Sequence, residues 1–333
     1  MIAAEKGLTV ALLGDVMVGG QVGERLASGQ EVFAPEIAAV LAEADLVVAN
    51  LECCVTTSTR RWSSPTKRFY FRAPPVAAEV LADLGVHCVS LANNHSMDFG
   101  AAGLLDTITR LSDVGIDVVG AGENELRAKA PLVLDVAGVR VGLTAVTDHP
   151  AEITATPSRP GVAFANLQDG VPSWLMQQAY DLGRACDVVI VLPHWGPNFA
   201  RTPVPHVLRA ARRLAAAATL VAGHSAHVCQ GAAGRVLYDL GDLIDDYPPH
   251  PLLRLDLGAI WLIEVTSAGP VRANVVPTVN RDGVVRLATG HDRRQFADAL
   301  TVACSALGSE VDDHSGRLVV DLERAPASTA VVR

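Results

Sequence analysis

The chain lacks the marks of several large protein classes. No uninterrupted apolar stretch reaches about 18 residues, so the sequence predicts no membrane span and no membrane partner. Positive charge is in deficit: 27 Lys and Arg stand against 36 Asp and Glu, a formal net charge of −9. A binder relying on a basic face is excluded, and nucleic acid is not an expected partner. The six cysteines, Cys53, Cys54, Cys88, Cys186, Cys229 and Cys304, contain no Cys-x-x-Cys pair. Adjacent Cys53 and Cys54 are poorly placed for a disulfide with each other, so reduced, mostly buried structural thiols are expected. Cys53 follows Glu52 and is expected near a site without acting in it. There is no internal repeat and no low-complexity tract. The opening Met1-Ile-Ala-Ala-Glu-Lys6 has neither a basic n-region nor a small-residue cleavage site, and the expected location is cytoplasmic.

What is present is a large core. Of 333 residues, 50% are apolar and 19% charged, enough to fill one large domain. The expectation is a single domain over 1–325 with a flexible tail at 326–333. In the first half, strands alternate with helices. Strand runs Thr9–Leu13, Asp45–Ala49, Cys88–Ala92 and Val118–Val119 are separated by helical patterns at Pro35–Glu43, Pro75–Leu84 and Ala101–Val114. That rhythm predicts a parallel, helix-flanked sheet. Pro131–Val136 and Val139–Val146 read as a hairpin turning at Ala137-Gly138. Helix Trp174–Arg184 leads to strand Asp187–Leu192, and helix Val204–Ala217 leads to strand Thr219–Ala222. Arg235–Asp239, Ala259–Val265 and Val271–Thr278 read as further strands. The second half is therefore expected to form a second sheet, more antiparallel toward its end, packed face to face with the first and with helices outside: an α/β fold.

The chemistry collects where apolar strands end. Leu91-Ala-Asn-Asn-His95-Ser-Met-Asp98, Leu192-Pro-His194-Trp-Gly196 and Ala222-Gly-His224-Ser-Ala-His227 share this layout with Gly14-Asp15 and Asn50-Leu-Glu52. The C-terminal ends of strands are where open α/β sheets hold their ligands. A lone strand-end histidine is ordinarily a hydrogen-bonded structural residue. Four imidazoles (His95, His194, His224, His227) beside Asp15, Glu52, Asn50, Asn93 and Asn94 point instead to a metal or acid/base site.

Taken together, Gly14-Asp15-Val-Met, Asn50-Leu-Glu52, Asn93-Asn94-His95-x-x-Asp98-x-Gly100, His194-Trp-Gly196 and Gly223-His224-x-x-His227-x-x-Gln230 resemble the CapA family. Its proteins are associated with poly-γ-glutamate capsule synthesis, within the calcineurin-like metallophosphoesterase superfamily. The resemblance runs from about residue 8 to 246 and implies a four-layer α/β/β/α sandwich with a metal site between the sheets. By motif it implies Asp15, Glu52, Asn94, His194 and His224 as metal ligands, Asn50 at the superfamily's bridging position, and His95 as the catalytic histidine. Asp98 either orients His95 or caps the helix beginning near Gly100. The chain departs from the superfamily at Met17, where a histidine is usual, and at Asn50, which bridges two metals badly. A single metal is therefore expected. Asp242, Asp245 and Asp246 either add oxygen ligands or form a solvated acidic turn. The expected cofactor is a divalent cation, Ca first, with Mn, Zn and Mg as alternatives, and no organic cofactor.

A branch of CapA-like proteins epimerises the C-terminal residue of lasso-peptide precursors. The degraded phosphatase signature and surplus His and Asp fit that branch. Inverting a Cα needs a base on one face and an acid on the other. Candidates are His95 opposite His227 or His194, with Asp15 and Asp98 orienting them. The partner would then be a ribosomal peptide, bound by the basic, aromatic segment holding Arg60, Arg61, Trp62, Arg68 and Arg72; the bland alternative for that segment is a solvated loop. Two other functions stay open: a metallophosphoesterase or related hydrolase, and an accessory protein of polyglutamate or capsule synthesis. The sequence leaves the oligomeric state open.

Overall fold

The computed structural model describes residues 7–63, 67–247, 250–314 and 316–323. The expected tail at 326–333 lies outside the described residues. The fold is mixed α/β, with two large sheets.

The larger sheet is built around strand Gly7–Val16. Its side chains alternate between two buried environments. Ala11 and Leu13 join a cluster that packs helices Pro35–Leu41, Val76–Asp83 and Gly100–Asp113. Val10 and Leu12 join a second cluster shared with the other sheet. A strand buried on both faces reads as a continuous apolar run rather than an alternating one. On one side it pairs in parallel with Leu46–Leu51, which continues through Cys88–Ser90 to Asp117–Val119. The smaller sheet runs Gly231–Ala233, Val236–Asp239, Leu220–Ala222, Val188–His194, Val139–Thr147, Leu132–Val136. Helices Ser173–Ala185 and Pro205–Ala215 pack on it through a third cluster. The expected hairpin is present. Ala137 at φ 50° and Gly138 at φ 78° supply the two positive φ values that a tight two-residue turn needs.

One expectation is corrected. The late strands do not extend the second sheet. Leu257–Thr266 returns to pair antiparallel with Gly7–Val16, followed by Gly269–Arg281 and Arg317–Asp321. Strand Gly7–Val16 is central and apolar, and its second edge needs a partner as much as its first. Helix Gly290–Leu307, which the sequence reading missed, covers the inter-sheet cluster with Phe296, Leu300 and Cys304. That is a narrow i, i+4, i+8 stripe on a helix that also carries exposed apolar residues such as Val302.

Candidate metal centre

Strand register assembles the centre. Asp15 stands opposite Asn50 on one side and Asp242 on the other, the latter from the short strand Asp242–Ile244. In the smaller sheet His194 stands opposite Thr147 and bridges to His224. The glycines before the functional residues permit the close approach. A Cβ on Gly14 would lie 1.8 Å from the Gly241 carbonyl oxygen, and one on Gly223 would lie 2.1 Å from that of Tyr238. The loop after Gly223 carries Ser225 at φ 107° and His227 at φ 58°. Left-handed backbone at residues with a Cβ costs about 1–3 kcal/mol each and collects at functional sites. Here it is held by Asp239, which accepts the Ala226 and Gly241 N–H groups at 2.8 and 2.9 Å, and by the Ser225 hydroxyl on the Gly196 carbonyl at 3.0 Å.

Among the described residues, two groups have ligand atoms close enough to share a cation: Asp15, Glu52 and His194, and Asp15, His227 and Asp242. Asp15 belongs to both. His227 Nδ1 lies 2.9 Å from Asp242 Oδ1 and 3.2 Å from Asp15 Oδ2. Glu52 Oε1 lies 3.9 Å from both His95 Nε2 and His194 Nε2, beyond hydrogen-bond length. Glu52 Oε1, Asn94 Oδ1 and Asp242 Oδ2 are buried with no hydrogen-bond partner among the described residues. Leaving such acceptors bare costs about 1–3 kcal/mol each, more for charged groups, and a cation satisfies them. The residues therefore fit a divalent metal.

Burial and neighbouring charge set the protonation states of the metal-free protein. Burial pushes Asp15 up, but the hydrogen bond and charge of His227, with His224 and His194, overcome it and hold the carboxyl below the usual range. Burial and the neighbouring Asp15 push Glu52 well up, and burial does the same to Asp242. For His227, burial is outweighed by Asp242, Glu52 and Asp15, so it holds its proton well above the ordinary value. His95 and His194 go the other way, driven down chiefly by burial.

His95 Nδ1 lies 2.7 Å from Asp98 Oδ2. Asp98 also accepts the Phe71 N–H at 2.7 Å and pairs with Lys67 Nζ at 2.6 Å. Asp98 thus contacts His95, and no side chain caps the helix at Gly100. Asn50 does not offer its oxygen to the centre. Its Nδ2 donates to Asp15 at 2.7 Å, and its Oδ1 accepts from Asn93 at 3.1 Å, which makes it an organiser of carboxylates. His224 Nε2 sits 3.4 Å from the Leu13 carbonyl and belongs to neither ligand group. Met17 is fully buried in the helix-side core. The cysteines are free. Burial lifts the Cys53 thiol far up and Cys54 to about 12, so neither is a nucleophile at neutral pH.

Of the expected substrate contacts, Trp62 and Arg68 line a cleft of about 290 Å³ beside His95, with Lys67 and Tyr247. Arg60, Arg61 and Arg72 are not among its lining residues. Arg61 stacks on Tyr70 at 4.9 Å and Arg72 on Phe99 at 5.5 Å. Sequence reasoning passed over Lys67 as a site residue. It also passed over the pair Asp148-His149, which follows strand Val139–Thr147 in the same strand-end layout.

Residues 9–247 match a family described as bacterial capsule synthesis protein PGA_cap. Capsule biosynthesis protein CapA of Bacillus anthracis is 29% identical over 321 residues, covering 92% of this chain and 76% of that protein. A probable polyglutamine synthesis accessory protein of Mycobacterium tuberculosis is 32% identical over 249 residues, covering 70% of this chain and 64% of its own length, so this chain spans less than two thirds of it. A solved structure of a hypothetical protein from Thermus thermophilus gives a TM-score of 0.48 at 16% identity, over 82% of this chain and 100% of that one. Among the described residues, no helix is long and apolar enough to cross a membrane.

Proposed function

The chain belongs to the bacterial capsule synthesis protein (PGA_cap) family, and from that premise we propose that it is a metal-dependent CapA-type protein acting on an acidic polyamide such as poly-γ-glutamate in polymer synthesis. One observation carries the metal-dependent reading: the buried, bare Glu52 Oε1 held 3.9 Å from two imidazole nitrogens. The three hydrophobic clusters, two between a sheet and helices and one between the sheets, support a four-layer α/β/β/α sandwich of the calcineurin-like type.

Asp15, Glu52 and His194 would hold one cation, and Asp15, His227 and Asp242 a second. An imidazole in each group favours Mn or Zn over Ca and Mg. A cation bound there supplies Lewis-acid polarisation of a carbonyl or phosphoryl oxygen. The remaining work falls to side chains. Asp98 accepts a hydrogen bond from the His95 Nδ1–H, which leaves Nε2 facing the centre as the atom that receives a proton. Burial, with Lys67 offsetting part of the Asp98 charge, keeps His95 neutral. Phe71 packs on the His95 ring at 4.5 Å and fixes its plane.

A second reading, a cytoplasmic peptide epimerase, is favoured by the opposite protonation of two His–Asp pairs. His95 is driven neutral and His227 charged, as a base and an acid on two faces of a Cα would be. Calorimetric titration of Mn²⁺ or Zn²⁺ into the full chain tests the metal; failure of both to bind sinks it. Incubating the Mn²⁺-loaded protein in D₂O with poly-γ-glutamate and, separately, with a candidate precursor peptide then separates the readings. A change in polymer length supports the first, and deuterium at Cα of a candidate peptide without bond cleavage supports the second.

A further inference from the structure

We infer that the substrate cleft continues past the metal centre on both sides, so that an acidic polyamide chain is bound across the centre at an internal position and not by its end. This rests on the polymer reading above and adds a second subsite to it. The first lobe is the cleft holding Lys67, Arg68 and His95. A second lobe, about 500 Å³, is lined by Asp148, Gln168, Gly196, Asn198 and His206. His149 and Asn198 line both lobes, so the two meet there. The His149 ring lies 5.5 Å from that of His194, which places the junction against the ligand group containing Glu52.

The second lobe is built around a buried carboxylate that the metal groups do not use. Asp148 is 6% exposed. One of its oxygens pairs with His149 Nδ1; the other accepts from His206 Nε2 at 3.2 Å and from the Gly196 N–H at 3.2 Å. It thereby fixes two imidazoles from different elements, His149 at a strand end and His206 on helix Pro205–Ala215. With those nitrogens engaged, His149 Nε2 and His206 Nδ1 are the ring atoms left for a ligand. The amides of Asn198 and Gln168 offer both donors and acceptors, which matches a repeating amide backbone. The first lobe offers the Arg68 guanidinium, which matches carboxylate side groups, while Lys67 there is already paired with Asp98. A substrate bound by its terminus would use one lobe, whereas these two adjoin at His149 and Asn198 beside the same centre.

The test is equilibrium binding of γ-linked glutamate dimers and hexamers to the Mn²⁺-loaded full chain. The hexamer is expected to bind at least about tenfold tighter than the dimer. That advantage is expected to fall about tenfold in His206→Ala and, separately, in Arg68→Ala, as loss of one hydrogen-bonding group predicts. Should His206→Ala lose its native melting transition, Asn198→Ala, at an exposed position, carries the same expectation. Equal affinity for dimer and hexamer, or variants that bind hexamer like the parent, would overturn the second subsite while leaving the polymer reading intact. Absence of binding at either length would overturn the polymer reading, and the two-lobed site with it.

Discussion

Two histidine–aspartate pairs flank the centre, and they are tuned oppositely. His95–Asp98 and His227–Asp242 have nearly the same geometry, 2.7 and 2.9 Å from Nδ1 to the carboxylate. The difference lies in what else is charged nearby. Asp98 is offset by Lys67, so His95 stays neutral under burial. The charges that dominate at His227 are carboxylates, Asp242, Glu52 and Asp15, and its proton is what balances them. An identical pair thus yields a base in one setting and a cation in the other. In the metal-free protein His227 supplies positive charge that a divalent ion would otherwise supply.

The largest expected effect comes from removing the shared ligand. Asp15→Ala should weaken Mn²⁺ or Zn²⁺ binding by on the order of 100-fold or more, because both groups lose a carboxylate; outer partners alone are typically worth 10–100-fold. Asp242→Asn should instead spare the group with Glu52 and His194. Calorimetry would show two binding events reduced to one. A parent titration with a single event, unaffected by Asp242→Asn, would leave the His227 side as a purely protonic pair.

Lys67→Met should break the comparison from the other side. It removes the cation beside Asp98 and costs about 1.5–3 kcal/mol of stability, the range for a charge-assisted hydrogen bond. Lys67 is one of the charges holding the His95 pKa down, so its loss should raise that pKa and leave His95 protonated at higher pH. Titration of the His95 ring resonances by NMR reads this directly. An unmoved or lowered midpoint would mean that burial alone sets the imidazole.

How far this was legible in the sequence differs residue by residue. Asp15, Glu52, His194 and His227 each follow an apolar strand, and a strand end is a local pattern. Asp242 follows only a short bend after Val236–Asp239, so the sequence could place it near the site but not on His227. Lys67 sits in irregular chain, where no periodicity announces a partner 31 positions later. His206 lies in a helix whose pattern reports only its buried face, Val207, Ala210, Ala211 and Leu214. The pairing of Leu257–Thr266 with Gly7–Val16 is set by which edge is open, a non-local property that strand composition does not encode. Asp148-His149 was the avoidable miss, since it has the strand-end layout used for the other segments.

The last expected effect sharpens the comparison by changing the carboxylate crowding directly beside the His227–Asp242 pair. Burial raises the Asp245 carboxyl from its ordinary 3.8 to about 6, and its Oδ2 has no hydrogen-bond partner among the described residues. With the folded value above the unfolded one, the folded state keeps a proton between about pH 4 and 6 that the unfolded chain has lost. Stability therefore falls as pH rises through that window, and above it the folded state carries the full penalty of a buried charge. Asp245→Asn should escape that penalty. It should match the parent's stability below about pH 4 and exceed it above pH 6, by on the order of 3 kcal/mol. Saturating Mn²⁺ should shrink the gain, since a cation held by the neighbouring Asp242 offsets the same charge. A gain equally large at pH 4, or one insensitive to Mn²⁺, would show that the carboxylate excess around His227 is not what destabilises the metal-free centre.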